Sequence, residues 1–330
     1  MFELYLKKPN EMELREVEHL PAPRGDEVKL RLSYGGICGS DLRVYQGKLE
    51  YASYPLRPGH ELLGVVVEKG EQARYDVGTR VVVQPNTFCG MCEYCLQGKT
   101  NICAEKKSLG VTVDGGFSEE IVVSSKFVLP VPNDLPDEKA ILIEPLAVVV
   151  HALKKVTIQK GNSVAVVGCG NEGLLAIALA NYYGAVVTAL DINPKKFGLV
   201  KQLGDVRTIQ PEEIGDETFD VVIEAAGTKA SIEQSIRLAK PGGSVVLIGI
   251  TQEATLPVIR VVRSEITLFG SIIYNFPTDF SSTIEVLRDS AFTVAPIVSK
   301  ILSFTEYNTA YEMALSGDYG KIVLDFKSKG

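Results

Sequence analysis

The sequence predicts an α/β protein of two units, a doubly wound parallel-sheet domain and a β-rich domain. Three observations carry this. Beyond about residue 145, continuous apolar runs alternate with helical stretches: Val164–Val167, Leu174–Tyr183, Val186–Leu190, Pro194–Leu203, Val221–Glu224, Ile232–Ala239, Val245–Gly249 and Ile266–Phe269. Strands with no polar alternation are covered on both faces, which is the signature of a parallel sheet between helices. Before residue 130 the apolar runs are short, as in Val28–Leu32, Leu62–Val67 and Val81–Val83, and are bounded by Gly, Pro and Asp with no helical period. Finally, 330 residues suffice for two cores. The expected division is a β-rich unit over 1–146, the doubly wound unit over 147–274, and a segment 275–330 returning to complete the first.

Composition narrows the function class. A formal net charge of −7 with no basic stretch argues against nucleic acid or an anionic membrane as partner. The N-terminus lacks a basic region followed by an apolar one, so no signal peptide is expected. The most apolar stretch, Ala140 to Leu153, is broken by Glu144, Pro145 and His151, so no bilayer span is expected. A cytoplasmic location is the default expectation.

Four cysteines, Cys89, Cys92, Cys95 and Cys103, fall within fifteen residues. Four thiolates so placed can surround one Zn²⁺ tetrahedrally, and a closed all-sulfur shell leaves no position open for chemistry. The metal is then a structural staple for a small lobe. A disulfide or redox reading is weaker, because adjacent Cys-x-x-Cys pairs in one loop make poor disulfides.

The strand Val164–Val167 runs into Gly168-Cys-Gly170-Asn-Glu-Gly173 and then an apolar helix. In that context the three glycines read as a dinucleotide fingerprint: Gly168 for the tight turn, Gly170 for close approach of a pyrophosphate, Gly173 for helix packing. The helix N-terminus offers amide donors to phosphates. Asp191 ends the next strand, 23 residues after Gly168, where a carboxylate accepts ribose hydroxyls and repels a 2′-phosphate. The expected cofactor is therefore NAD, not NADP. Glu172 is unusual in this turn. An acid there stabilises a helix start, and it also sets negative charge near the phosphates or the nicotinamide.

Cys38, His60 and Glu144 each have an ordinary structural explanation when taken singly. Together with the cysteine loop and the nucleotide turn they become specific. Gly36-Ile-Cys38-Gly-Ser40-Asp41, Gly59-His60-Glu61-x-x-Gly64, Asp114-Gly-Gly-Phe117, Glu144-Pro-Leu-Ala147, Gly168-Cys-Gly170 and Asp191-Ile-Asn193 span nearly the whole chain. They resemble the medium-chain dehydrogenases of the zinc-dependent branch, and most closely the polyol type (sorbitol, threonine and hexitol-phosphate dehydrogenases). The resemblance implies a GroES-like catalytic domain, a Rossmann nucleotide domain, two zinc ions per chain, NAD, and a dimer or tetramer acting on a small polyol or sugar-derived substrate.

It also implies roles. Cys38, His60 and Glu144 would hold a catalytic zinc, with Glu61 able to exchange with Glu144 or water. Ser40 would pass the substrate proton outward, Asp41 would orient a ligand histidine, and Lys196 would stand near the adenosine ribose. The reaction implied is reversible oxidation of a secondary hydroxyl to a ketone, with threonine or a simple secondary alcohol as alternatives. A silent NAD- and zinc-binding sensor is a rival from another class. Arg43 stands where polyol-type members commonly carry a relay histidine. A guanidinium cannot relay a proton, so it is read either as a surface ion pair or as a binder of an anionic substrate or of the cofactor pyrophosphate.

Overall fold

Two sheets carry the architecture of the computed structural model, which describes residues 1–328. The parallel one has six strands in the order Val206–Ile209, Val186–Leu190, Ser163–Val167, Phe219–Glu224, Ala239–Leu247 and Thr267–Gly270. Chain order reverses direction on either side of Ser163–Val167, so the crevice at its carboxyl end is the topological switch point where ligands of such sheets bind. The helix Asn171–Tyr182 starts in that crevice and buries every residue from Gly173 to Ala180.

The second sheet is largely antiparallel. Its strands run Val298–Ser303, Lys321–Asp325, Glu27–Ile37, Glu61–Lys69, Arg80–Val83 and Val128–Pro130, with Glu120–Ser124 also pairing with Glu27–Ile37. The segment beyond 275 comes back in two steps. First the helix Thr278–Arg288 packs on the helix Ile143–Leu153, tied by Asp279, which accepts from His151 Nδ1 and Lys154 Nζ at 2.8 Å each. Only from Val298 does it enter the sheet, where Ile322 stands opposite Ile37. One apolar cluster joins the two units: Tyr34, Leu63, Val82 and Val323 pack with Leu146, Val150, Leu174 and Ile177. Such a shared core fixes the cleft between them.

Local differences from the expected elements have local causes. The run Pro194–Leu203 is not one helix but three short turns, Pro194–Lys196, Phe197–Val200 and Lys201–Leu203; Gly198 lowers helix propensity inside it. The expected Ile232–Ala239 helix spans Lys229–Leu238, opened by Thr228, whose Oγ1 accepts the Ser231 N–H at 3.1 Å. Among the described residues no helix is long and apolar enough to cross a membrane.

Candidate active site and metal centres

Three strand ends meet at one end of the antiparallel sheet. Glu27–Ile37 delivers Cys38 as its next residue, Glu61 begins Glu61–Lys69, and Lys321 begins Lys321–Asp325. The register sets Gly36 opposite Glu61. A Cβ at Gly36 would fall 2.0 Å from Glu61 Oε2, so glycine is what lets the carboxylate in.

Ligand atoms of Cys38, His60 and Glu61 lie within 4.8 Å of one another. Asp41 organises them from a fully buried position. Its carboxylate accepts from the Cys38 N–H at 2.9 Å, the Gly59 N–H at 3.3 Å and His60 Nδ1 at 3.1 Å. With its proton held on Nδ1, His60 presents Nε2 to the cavity, 3.4 Å from Ser40 Oγ. Burial works against charge on His60, yet Asp41 and then Cys38 together outweigh it and hold the metal-free ring well above its ordinary range.

Glu61, expected as the exchanging carboxylate, is the third member. One carboxylate oxygen accepts from Lys321 Nζ at 2.5 Å, with both side chains wholly inaccessible, and the other has no partner. Burial would push the Lys321 ammonium down, but Glu61, Cys38 and Glu172 together push it up. A buried orphan oxygen beside a thiol and an imidazole is the donor set of a zinc ion. The residues present therefore fit the metal.

Glu144, the expected third ligand, falls outside this group of closely spaced donor atoms. It lines the same cavity, but Tyr274 donates its hydroxyl to Glu144 Oε1 at 2.6 Å, and burial pushes the carboxyl up to about 7. Sequence reasoning passed over both Tyr274 and Lys321. Lys321 left a weak signal, a charge opening the apolar run Ile322-Val-Leu324, and Tyr274 left none.

The cavity measures about 390 Å³ and draws its walls from both units. Cys38, Ser40, His60 and Glu144 form one part, Glu172 comes from the nucleotide turn, and Leu49, Val111, Ile248, Ile250 and Ile272 are apolar. Arg43 is exposed on the last turn of the helix Gly39–Tyr45 and is not part of the lining. The cation that does line it is Lys106, half-buried, donating to the Asn101 carbonyl at 3.1 Å.

The nucleotide turn has the shape a pyrophosphate needs. Gly168 sits at φ +98°, a Cβ at Gly173 would fall 1.8 Å from the Gly168 carbonyl oxygen, and the space beside Gly170 is open. Asp191 accepts the Cys169 N–H at 2.6 Å and the Asn193 N–H at 2.7 Å, which fixes its carboxylate at the strand end. These residues fit a dinucleotide. Lys196 is buried beside Asp191, but its ammonium is taken by the Tyr319 carbonyl. Asn193 and Lys195 likewise hold Asp318, at 3.0 and 2.7 Å.

The four loop cysteines are all unpaired by disulfides, and their sulfurs lie within 4.8 Å of one another. Separations of 3.7 Å for Cys89–Cys103 and 4.0 Å for Cys89–Cys95 and Cys92–Cys103 match a tetrahedron. Zn–S bonds of about 2.3 Å put sulfurs about 3.8 Å apart. Backbone N–H groups of Cys89 and Cys92 point at Cys103 and Cys89 sulfurs, as thiolates require. Asn101 anchors the lobe by donating to the Ile272 carbonyl at 3.0 Å. Cys92→Ser is expected to leave one zinc per chain and lower the melting temperature, because metal and lobe fold together. Metal analysis still finding two ions, with an unchanged melt, would refute the assignment.

Comparison with known proteins agrees with this geometry. Residues 24–133 match the family model described as alcohol dehydrogenase GroES-like domain, and 173–289 match zinc-binding dehydrogenase. A sorbitol dehydrogenase of Bacillus subtilis is 31% identical over 91% of this chain and 90% of its own. An alcohol dehydrogenase of Escherichia coli CFT073, solved with NADH, superposes with a TM-score of 0.92 at 27% identity, covering 98% of this chain and 99% of its own. Galactitol-1-phosphate dehydrogenase of Escherichia coli gives a TM-score of 0.89 at 28% identity, over 98% and 100%. Both matched regions lie on one chain in the order the two sheets require, and the chain belongs to the zinc-dependent medium-chain alcohol and polyol dehydrogenases.

Proposed function

We propose that the protein oxidises a secondary hydroxyl of a polyol or sugar derivative to a ketone, reversibly, with NAD as hydride carrier. The observation carrying this is the single cavity lined by both the Cys38–His60 site and the nucleotide turn. A zinc ion held by Cys38, His60 and Glu61, with Glu144 in reach as an exchanging carboxylate, would supply a Lewis acid that polarises the substrate hydroxyl. Asp41 keeps His60 in the tautomer that offers Nε2. Ser40 Oγ, beside that nitrogen, takes the hydroxyl proton and passes it outward. Asp191 accepts the adenosine ribose hydroxyls and disfavours NADP. The aliphatic walls exclude water from the reacting carbon.

Within this reading, Lys106 favours an anionic sugar derivative, a sugar acid or sugar phosphate. It takes the substrate-binding part that was one reading of Arg43, because it is a cation that lines the cavity. The test is NAD reduction by the zinc-loaded enzyme across polyols, sugar acids, sugar phosphates, threonine and simple secondary alcohols. An anionic substrate should show the highest kcat/KM. Lys106→Ala should cost it roughly ten- to a hundred-fold, the worth of a charged hydrogen bond, and cost its neutral analogue much less. Equal losses on both would refute the role of Lys106. Turnover of no substrate in the panel, or a preference for NADP, would refute the wider reading.

A further inference from the structure

The nucleotide turn carries one residue that neither phosphate binding nor zinc chemistry uses. Glu172 sits in the first turn of the helix Asn171–Tyr182, at a position that the fingerprint leaves open. Its side chain faces the cavity that holds Cys38, His60 and Glu144. Carboxylate oxygen Oε2 is buried and has no hydrogen-bond partner. The neighbouring Asn171 amide donates to the Ile37 carbonyl at 3.4 Å, pinning the turn against the residue before Cys38.

The charges around Glu172 do not neutralise it. Glu61 and Glu144 are of like sign, and Lys321, the cation that pulls on it most strongly, already donates to Glu61 at 2.5 Å and to the Ile37 carbonyl at 3.4 Å. Burial first, then Glu61 and Glu144, push the Glu172 carboxyl up to about 8, against the pull of Lys321 and His60. Such a group lacks a cation. A dinucleotide with its pyrophosphate on Gly168–Gly173 and its hydride-accepting ring near Cys38 and His60 must pass this side chain. That ring is cationic in NAD⁺ and neutral in NADH.

We propose that Glu172 makes the site discriminate between the redox states of its cofactor, favouring the cationic nicotinamide of NAD⁺ over the neutral ring of NADH. The inference rests on the dehydrogenase reading above. Its consequence is that bound NAD⁺ becomes a poorer hydride acceptor and bound NADH a better donor than they would be beside an apolar residue. At an effective dielectric of about 20, two unit charges roughly 6 to 12 Å apart shift such a ratio by about ten- to a hundred-fold.

The test measures dissociation constants for NAD⁺ and NADH on the zinc-loaded protein by calorimetry. It is run at pH 9, where the free carboxyl is already ionised. Glu172→Gln keeps the shape and removes the charge. It should weaken NAD⁺ relative to NADH by about ten-fold or more, equivalent to raising the potential of the bound couple by about 30 mV per decade. Glu172→Asp keeps the charge and should retain most of the preference. An unchanged ratio in Glu172→Gln would overturn the proposal, whatever happens to turnover. So would equal shifts in the Asp and Gln variants, because shape and not charge would then be responsible. Wild-type protein that binds neither nucleotide would instead remove the dehydrogenase reading, and this inference with it.

Discussion

His60→Ala is expected to bring the zinc content from two ions per chain to one and to cut turnover by at least about 10³-fold, the scale of losing a Lewis acid worth several kcal/mol. The surviving ion should be the one among Cys89, Cys92, Cys95 and Cys103, whose sulfurs make no contact with His60. Cys38→Ser should behave alike. Asp41→Asn is the graded control. It keeps the size of the side chain but weakens the acceptor that holds Cys38, Gly59 and His60, so metal affinity should fall by about 10- to 100-fold and not vanish. Metal analysis with kinetics on the same samples decides the matter. A His60→Ala protein that keeps two zincs and its activity would refute the site.

Lys321→Met carries the second large effect, and it is read in stability. Lys321 and Glu61 are each inaccessible and form an ion pair at 2.5 Å. Removing one partner of a buried pair leaves the other charge uncompensated, which costs about 3–5 kcal/mol. The loss should be largest in metal-free protein and smaller once zinc is restored, since the ion offers Glu61 another counter-charge. Adding Glu61→Gln to Lys321→Met should recover much of the metal-free loss, because no orphan charge then remains. Urea unfolding of chelated and zinc-loaded wild type, Lys321→Met and the double variant measures all six states. A Lys321→Met protein as stable as wild type without metal would show that the pair holds nothing together.

The nucleotide domain and the cysteine lobe were legible in the sequence because their signals are local. Apolar runs such as Val164–Val167 declare a buried strand over a few residues, and the glycine spacing at 168, 170 and 173 declares the turn. Four cysteines in one loop leave little choice of ligand. The inner arrangement of the catalytic site was less legible, for a physical reason. Glu61 and Glu144 are chemically identical as residues, and what separates them is the Tyr274 hydroxyl, which reaches Glu144 from 130 positions away. Lys321 meets Glu61 across 260 positions through the order of strands in a sheet, which no short-range pattern encodes. Arg43 illustrates the converse. The sequence left it between a surface ion pair and an anion-binding role, and what places it in solvent is its position on the last turn of a short helix.

The position of Lys321–Asp325 between Val298–Ser303 and Glu27–Ile37 has a consequence for how the protein is made. The stretch Tyr34–Ile37, which leads directly into Cys38, borrows its outer neighbour from Lys321–Asp325, a strand synthesised far later. At roughly 5–20 residues per second, the 260 residues separating Glu61 from Lys321 take about 13 to 50 s to synthesise. Throughout that interval the nascent N-terminal half holds an open sheet edge and a carboxylate with no cation, both invitations to wrong pairing. A nonsense codon before residue 321 would therefore not trim a tail. It would leave the first-made half of the catalytic unit permanently in that exposed, half-zipped condition.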